Sequence, residues 1–505
     1  MKMPAIMRGW VAAAGALLWA CTPGRPGDQA TPVARAPVIF PDCHATTIPP
    51  NIAPLNFSIR EPGERYFVAV TGGGNRRIEI SSTSPRIIIP LGKWKRLLVD
   101  SRGGTLNLDI FCCDNKRWRR FAPLRDTVAD EPMDRYITYR KIDNCLHWNW
   151  MGTYQRDMWN FDERTVLHNR LSSACFNCHQ FRDNTADAMV LQVRSALHGT
   201  PMLLGQTDRG ARGLSAVSTR TAFSHGKAGF TSWHPRQDII AFSLNNYRML
   251  MHTSAMETRD VFDSASDVAV YDVKRREVFS AADLSRPDRI ETTPEWSRDG
   301  RYLYFCSAPQ LPAEQYRDMR CDLMRIAFDP ATRAWGKLDT VLTAAQAGGS
   351  IVQPRFSPDG RYCLVSVTDY GDFPIDIIGS DLGLIDVRTG DFKKPAINSP
   401  RAEGWHCWSS NGRWMAFSTK ADNGKFSRIA FSYFDSSGLA HKPFLLPQKD
   451  PRFYESCGLL FNKPEFTTNR VPFTQRQFQA VLDACAKGLK IDAATAATPQ
   501  TGDRD

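Results

Sequence analysis

The chain has 505 residues, which is too long for one ordinary hydrophobic core and predicts two or more domains. It is 42% hydrophobic and 23% charged and carries a net charge of +11, a composition that is ordinary for a folded soluble protein. After the first 20 residues, no apolar run approaches the roughly 18 residues that a membrane-spanning helix requires.

The N-terminal segment 1–21 has the features of an export signal rather than of a folded element. Basic residues precede an apolar stretch over 10–20, and the stretch ends in Leu18-Trp19-Ala20-Cys21, which resembles a bacterial lipobox. In such a sequence the thiol of the cysteine receives a diacylglycerol, so we expect Cys21 to be lipidated. A plain secretory signal with a chance cysteine is the alternative. Thr22, where aspartate would retain the protein at the inner membrane, favours the outer membrane.

The next segments are predicted to form a tether and a small domain. Residues 22–50 begin with a stretch rich in Pro, Gly and Ala and are expected to form the tether. Residues 51–125 contain about seven short alternating runs separated by Gly-rich turns, which predicts a small β-sandwich. Residues 126–174 are expected to form a connector that takes part in closing the following domain. Apolar residues at helical spacing predict a short helix over 156–171.

A C-x-x-C-H motif follows, Cys175-Phe176-Asn177-Cys178-His179. In a c-type haem site the two thiols bond to the haem vinyl groups and the adjacent histidine binds the iron. A zinc site would require further cysteine or histidine pairs, and a thioredoxin-like site would require a βαβ context. Neither is evident in the sequence. The motif predicts one covalent haem c, with thioether bonds to Cys175 and Cys178 and with His179 as the proximal iron ligand.

An internal repeat predicts a β-propeller over residues 175–470. Each copy places an aromatic residue two to four positions before a turn, and an apolar strand follows. One four-stranded unit cannot bury both of its faces, so such units repeat around a ring. Six blades are expected, with the C-x-x-C-H motif in the first strand of the first blade. The four copies are Trp233-His234-Pro235-Arg236, Trp296-Ser297-Arg298-Asp299-Gly300, Phe356-Ser357-Pro358-Asp359-Gly360 and Trp408-Ser409-Ser410-Asn411-Gly412.

These copies are similar to the P-x-W-S-P-D-G repeat of TolB-like propellers. With the C-x-x-C-H motif, residues 50–470 resemble a family of bacterial TolB-like propeller lipoproteins that carry a single c-type haem. The resemblance implies the propeller and the haem more than a particular activity. A histidine commonly stands in the second strand after the motif in that family. Gln192 occupies that position here, which weakens the expectation that this strand supplies an iron ligand.

The sixth iron ligand is left open by the sequence. His406 lies two residues before Trp408, and His234 follows Trp233, so both are expected near first strands and are candidate distal ligands. An iron with an open sixth position is an alternative. The other candidates are His168, His198, His225, His252, Met189, Met202, Met249 and Met251.

Two features concern the rest of the chain. Residues 471–505 are predicted to form a helix over 474–489 and a disordered tail. Export would place the remaining cysteines in an oxidising compartment, where we expect Cys306 and Cys321 to form a disulfide across a strand–loop–strand stretch.

The sequence favours a membrane-anchored electron carrier that docks with redox partner proteins of the cell envelope. One alternative is a haem enzyme whose open iron acts on peroxide or small nitrogen compounds, and another is a protein-binding scaffold with a structural haem. Basic runs at 93–96 and 116–120 could dock an acidic partner or anionic lipid, although a solvated strand face is the favoured interpretation. No nucleic-acid partner is expected for an exported protein of this kind.

Overall fold

In the residues that it describes, the computed structural model of the chain is an all-β structure with four short α-helices. It describes residues 26, 30–144, 150–171, 174–207, 213–222, 224–252, 257, 259–488, 491–493 and 495–496. The predicted signal segment 1–21, including the expected lipidation site Cys21, lies outside the described residues.

The N-terminal domain confirms the predicted β-sandwich. A seven-stranded sheet and a three-stranded sheet, β2-β4-β7, contribute to one hydrophobic core, which holds Val68 and Ile110 from the first sheet and Phe57 and Ile87 from the second. Strands of this kind alternate a core-facing and an outward-facing residue, which accounts for the alternating pattern in the sequence. The elements are β1 (Thr31–Val33), β2 (Ile39–Phe40), β3 (Thr47–Ile48), β4 (Phe57–Ile59), β5 (Arg65–Thr71), β6 (Arg77–Ser82), β7 (Arg86–Ile87), α1 (Leu91–Asp100), β8 (Thr105–Asp114), β9 (Arg117–Phe121) and β10 (Leu124–Val128).

Two parts of this domain differ from the sequence prediction. Within residues 30–50, where a tether was expected, β1, β2 and β3 pair with β9, β4 and β10. Ile39 and Ile48 are buried there, so apolar burial fixes a segment whose composition alone suggested flexibility. The first basic run lies on helix α1 rather than on a strand. Trp94 within it is buried and donates a hydrogen bond from Nε1 to the Ile52 carbonyl (3.0 Å).

The propeller consists of six four-stranded blades, which we number from the C-x-x-C-H motif. Within a blade, each strand pairs antiparallel with the next from the innermost strand outward. Blade 1 contains β14 (Cys175–Arg182), β15 (Thr185–Arg194), β16 (Met202–Gln206) and β17 (Gly213–Ser218); blade 2 β18 (Ala228–Trp233), β19 (Ile239–Leu244), β22 (Val268–Asp272) and β23 (Glu277–Phe279), with the inserted hairpin β20 (Tyr247–Met251) and β21 (Arg259–Asp263); blade 3 β24 (Arg289–Trp296), β25 (Tyr302–Pro309), β26 (Asp322–Phe328) and β27 (Trp335–Leu342).

The remaining blades follow the same order and are joined by short helices. Blade 4 contains β28 (Ser350–Phe356), β29 (Tyr362–Thr368), β30 (Asp381–Asp386) and β31 (Phe392–Lys393), and helix α2 (Ala344–Ala347) precedes it; blade 5 contains β32 (Glu403–Trp408), β33 (Trp414–Thr419), β34 (Arg428–Tyr433) and β35 (Phe444–Leu445), and helix α3 (Phe453–Ser456) follows it. Blade 6 contains β36 (Leu459–Thr467), β11 (Tyr136–Asp143), β12 (Met151–Asp157) and β13 (Glu163–His168).

Blade 6 closes the ring by joining two distant parts of the chain. Its innermost strand, β36, comes after blade 5, whereas its three outer strands come before blade 1. Each innermost strand contacts the innermost strand of the next blade, and β36 contacts β14. The predicted propeller and its six blades are therefore confirmed by the strand pairing, and the predicted contribution of residues 126–174 to closure comes from β11, β12 and β13.

The repeated turn explains why the sequence folds into blades. In blade 4 the Ser357 hydroxyl donates to Asp359 (2.6 Å) and accepts a hydrogen bond from the Tyr362 amide (3.0 Å), so the turn is held by its own side chains. Gly360 follows at φ +71°, which favours glycine. The turn reverses the chain from the innermost strand into β29.

The remaining expectations are partly met. The segment predicted as a helix over 156–171 contains β13, because Glu163–His168 pairs with β12 and this pairing overrides the helical spacing of its apolar residues. Cys306 and Cys321 are buried in one hydrophobic cluster as free thiols rather than as a disulfide. Helix α4 (Gln475–Ala486) forms as predicted, and β37 (Ile491–Ala493) and β38 (Thr495–Ala496) pair with β17 and β23.

Candidate haem-binding site

All six innermost strands carry a β-bulge at the same position, where two residues face one residue of the second strand. A bulge bends the strand and redirects side chains, here towards the central channel. In five blades the first bulge residue has a positive φ, between +49° and +58°. The bulges are Cys178-His179, Gly229-Phe230, Thr293-Pro294, Gln353-Pro354, Trp405-His406 and Lys463-Pro464.

The C-x-x-C-H motif lies on β14, the innermost strand of blade 1. Cys178 is the first bulge residue, at φ +50°, and His179 is the second. Without the bulge, Cys175 and Cys178 would point to opposite faces of the strand, because successive side chains alternate. With it, both thiols and the His179 imidazole border one open cavity of about 250 Å³ at the end of the channel. This volume lies just below the roughly 300–1,000 Å³ range typical of ligand sites.

The cavity is mainly apolar. Phe230 and Trp405, the bulge residues of blades 2 and 5, form its inner wall with ring centroids 5.6 Å apart, and Phe373 packs against both. The hairpin β20–β21 covers another side with Tyr247 and Met249. A wall of this kind excludes water and fits a flat, largely hydrophobic group.

Cationic side chains line the rest of the cavity. Arg140, Arg194, Arg259 and Lys463 border it, while Asp376 is the one carboxylate among its lining residues. Asp376 accepts a hydrogen bond from Arg259 Nε (3.2 Å). Arg194 lies over the Tyr247 ring at 4.3 Å, and its buried Nε has no hydrogen-bond partner among the described residues. These groups fit a ligand that carries carboxylates.

His179 is chemically suited to bind a metal. It is almost fully buried, and burial lowers the pKa of the imidazole to about 3, so the ring is neutral at physiological pH. A neutral imidazole nitrogen is the form that ligates iron. The Nε2 atom lies 3.4 Å from the Thr138 carbonyl oxygen, which is long for a hydrogen bond, so this contact is a weak competitor for the nitrogen.

The two predicted distal ligands lie outside the lining of this cavity. His406 is the second bulge residue of blade 5, and its Nε2–H donates to the Leu364 carbonyl of blade 4 (3.0 Å). His234 donates from Nε2 to the Gly300 carbonyl (3.0 Å), and its Nδ1 accepts the amide hydrogens of the turn that follows it (3.1 and 3.0 Å). Both rings are buried and hold blades together in this structure. Their role as distal ligands stays a prediction.

Gln192 and most of the other candidates are also placed away from the cavity. Gln192 faces Asn177 in the β14–β15 pairing and is buried. Met189 and Met202 lie in two hydrophobic cores. Of the remaining histidines and methionines considered from the sequence, Met249 alone borders the cavity. The other histidines bond to neighbouring groups: His168 to Arg170 N, His198 to Ser195, His225 to Leu244 O and His252 to Asp260.

The structure adds lining residues that were not predicted from the sequence. Arg140 comes from β11 and Arg194 from the end of β15, opposite Cys175. Tyr247 and Met249 lie on the hairpin β20–β21, which was not predicted from the sequence. Over 247–251, Leu250 breaks the alternation of polar and apolar residues that would indicate a half-buried strand.

An ion-pair network occupies the channel beneath the cavity. Arg355 of blade 4 binds Glu465 of blade 6 (2.6 Å) and lies 4.0 Å from Glu295 of blade 3. Although burial opposes ionisation, Arg355 and Lys463 hold the pKa of Glu465 below its ordinary value, whereas burial raises the pKa of Glu295. Since the network links three blades, it fixes the floor on which the cavity rests.

The described part of the chain lacks two other kinds of feature. No group of three or more His, Cys, Asp or Glu side chains is arranged to hold a bare metal ion there. None of the helices in those residues has the length and apolarity needed to cross a bilayer.

Comparison with known proteins gives distant similarities only. No protein family matches the chain by sequence, and no curated protein does. Among solved structures, the chain is similar to a nidogen/laminin complex (7% identity, 66% of this chain and 100% of that one, TM-score 0.39). It is also similar to a putative 6-phosphogluconolactonase from Bacteroides uniformis (10%, 65% and 99%, 0.31). A third similarity is to Kuenenia stuttgartiensis hydrazine synthase (12%, 52% and 64%, 0.29). All three TM-scores are below 0.5, so the fold assignment rests on strand pairing.

Proposed function

We propose that this protein is a monohaem c-type cytochrome built on a β-propeller, and that it transfers electrons to or from a redox partner in the bacterial envelope. One observation carries the proposal. Both thiols and the histidine of a C-x-x-C-H motif border the same apolar cavity at the end of the propeller channel. We further propose membership of the TolB-like propeller lipoproteins with a single haem.

The residues of the cavity have separate tasks in this proposal. A bound haem supplies one-electron chemistry at its iron. Cys175 and Cys178 hold the group covalently, and His179 ligates the metal with a nitrogen that burial keeps neutral. Phe230 and Trp405 exclude water from one side of the group.

The charge of the cavity supports binding of haem carboxylates. Burial lowers the pKa of Arg140, and Asp376 and Arg259 are among the charges that act on it. Arg194 adds a buried Nε donor at the same wall. Anionic propionates would supply acceptors to these guanidinium groups, and charge-assisted hydrogen bonds of that kind are about twice as strong as neutral ones.

The open end of the cavity supports a role in docking. Leu250 and Met251 on the hairpin β20–β21 are 45% and 40% exposed, so the site is bordered by apolar surface. Exposed apolar side chains beside a charged rim are a common composition for a transient protein–protein contact. A redox partner seated there would lie close to the haem.

The location remains a proposal from the sequence. Export and a lipid on Cys21 would anchor the protein to a membrane of the envelope, and Thr22 favours the outer membrane. Metabolic labelling with a radioactive or clickable fatty acid tests this directly. Label on the native protein and none on Cys21→Ser is the expected result, and unlabelled native protein would contradict it.

The covalent haem is tested by producing the full chain in a bacterium with c-type cytochrome maturation. We expect haem-dependent peroxidase staining of the denatured native protein and loss of that staining in a Cys175→Ser and Cys178→Ser double variant. Cys457→Ser is a matched control, because Cys457 is a partly exposed free thiol that does not line the cavity. If the native protein does not stain while the control host cytochromes do, the proposal is wrong.

A further inference from the structure

We propose that Met249 is the sixth ligand of the haem iron, so that the site is closed on both faces by protein side chains. This inference rests on the proposed haem and adds a residue on the inserted hairpin of blade 2. Met249 lies on β20, opposite Val261 of β21, and both side chains border the cavity that holds Cys175, Cys178 and His179.

The chemistry of the cavity lining selects this residue. Protein ligands of haem iron are the nitrogen of His, the sulfur of Cys or Met, and the oxygen of Tyr. Within the lining of the cavity, both cysteines and the histidine are already assigned. Met249 and Tyr247 are the remaining side chains of those types.

Tyr247 is the poorer of the two candidates. Its ring is packed edge-on against Phe373 (4.9 Å between centroids) and lies under Arg194 (4.3 Å), so these two contacts already hold the ring in place. The Met249 thioether needs no deprotonation and is a weak hydrogen-bond acceptor, so ligation costs it little.

Lys463 is a third possible donor, but it is engaged elsewhere. Its Nζ lies 2.7 Å from Glu465 Oε1, and that carboxylate also binds Arg355. Ligation of iron by Lys463 would require this ion pair to break. Breaking this pair would leave a charge uncompensated in the floor of the channel.

The hairpin holds Met249 in place. Side chains at alternate positions share a face of a strand, so Tyr247 and Met249 both face the cavity, and Tyr247 anchors that face against Phe373. On the neighbouring strand, Phe262 stacks on Tyr316 of the blade 3 connection (4.5 Å between centroids). At the base of the hairpin, the Asn245 side chain donates a hydrogen bond to the Asp263 carboxylate. A fixed ligand loses less conformational freedom on binding than a mobile one.

The test uses visible spectra of the haem-loaded full chain, with and without carbon monoxide. We expect the native protein to be low-spin in both oxidation states and, when oxidised, to show the weak red band of a sulfur–iron(III) bond. Carbon monoxide should not change the spectrum of the reduced protein. Met249→Ala should lose the red band and bind carbon monoxide. Met251→Ala is the matched control, because Met251 lies on the same strand but outside the cavity lining, and it should behave like the native protein.

Met249→His guards against a variant that fails to fold. It should restore a low-spin iron closed to carbon monoxide, with a reduction potential lower than the native one, because methionine raises the potential relative to histidine. The inference is wrong if Met249→Ala carries haem and keeps the native spectrum, or if the native reduced protein already binds carbon monoxide. If the native protein carries no covalent haem, the proposed function is wrong as well. If it carries haem but fails the tests of Met249, only this inference is wrong.

Discussion

Blades 1 and 5 place a histidine at the same bulge position, yet the two rings have different surroundings. His179 and His406 are both buried, and burial lowers the pKa of each to about 3. His406 donates a hydrogen bond of 3.0 Å to blade 4, whereas the corresponding contact of His179 with blade 6 is stretched to 3.4 Å. Beside His179 stand two thiols and an open cavity; beside His406 stand a polar channel and the Gln353 amide.

The difference shows that the bulge is a general structural device of this propeller, and that the neighbouring residues decide its use. In both blades the imidazole of the second bulge residue contacts a backbone carbonyl of the preceding blade. In blade 5 the ring completes a blade-to-blade hydrogen bond. In blade 1 a weaker bond and a preceding cysteine leave the same nitrogen suited to a ligand. The following experiments test that division, beginning with the largest expected effect.

Removal of each ring should separate ligation from structure. In haem-loaded protein, His179→Ala should abolish the native low-spin spectrum, since it removes the proximal nitrogen. His406→Ala should leave the spectrum unchanged wherever the protein folds. Optical and electron paramagnetic resonance spectra report the spin state. A native spectrum in His179→Ala, or a changed one in folded His406→Ala, would reverse the assignment of roles.

The stability of the propeller should depend on His406. His406→Ala removes a buried ring and leaves the Leu364 carbonyl without its partner, which should lower the free energy of unfolding by about 3 kcal/mol. Urea unfolding followed by tryptophan fluorescence measures the change. His44→Ala serves as the control, since the side chain of His44 is 34% exposed. Equal stability of the two variants would mean that the ring does not hold the blades together.

The same ring should make stability depend on pH. The pKa of His406 is about 3 in the folded chain and about 6.5 when exposed, so the unfolded state binds an extra proton between these values. The contribution of the neutral ring to the free energy of unfolding is complete above pH 6.5 and decreases as the pH falls towards 3. At pH 5 the decrease amounts to about 2 kcal/mol. Unfolding of native protein and His406→Gln at pH 7 and pH 5 tests this. An identical pH response of the two proteins would contradict it.

The smallest effect is expected at the turn of the haem-motif blade. Blade 5 turns through Gly412 at φ +66°, whereas blade 1 turns through Asn184 at φ +56°. The Asn184 side chain donates a hydrogen bond to the Trp408 carbonyl (2.8 Å). Asn184→Gly would therefore relieve the strain of a positive φ but remove this hydrogen bond to blade 5. A net destabilisation of about 1 kcal/mol is expected from thermal unfolding. An increase in the stability of Asn184→Gly instead would show that this hydrogen bond contributes nothing to the stability of the native protein.

The sequence predicted the propeller because its turns are local. An Asp-Gly or Asn-Gly pair after an aromatic residue carries its own geometry, as at Asp359-Gly360, and repetition makes the signal strong. The C-x-x-C-H motif is equally local. Ring closure by β36 was predicted only in outline, since it depends on pairing between residues more than 300 positions apart, such as Ile137 and Phe466.

The cavity wall was beyond prediction for the same reason. Arg140, Arg194 and Met249 meet there from three blades, and no sequence pattern connects them. His406 and His234 were predicted as candidate ligands from their positions in the repeat. The repeat indicates the strand on or beside which each histidine lies, but it does not indicate the hydrogen-bond partners of the imidazole ring. Helix α1 was missed because Gly-rich turns on either side suggested another strand pair.

Ring closure also sets a sequence of events during biosynthesis. The lining of the cavity includes Asn462 and Lys463, which belong to β36, the last blade strand of the propeller to be synthesised. Until that strand docks on β11, the two thiols stand on an unfinished surface that is reachable from the side. If the motif binds haem as proposed, an enzyme that attaches it would have its widest access to the two thiols before the ring closes.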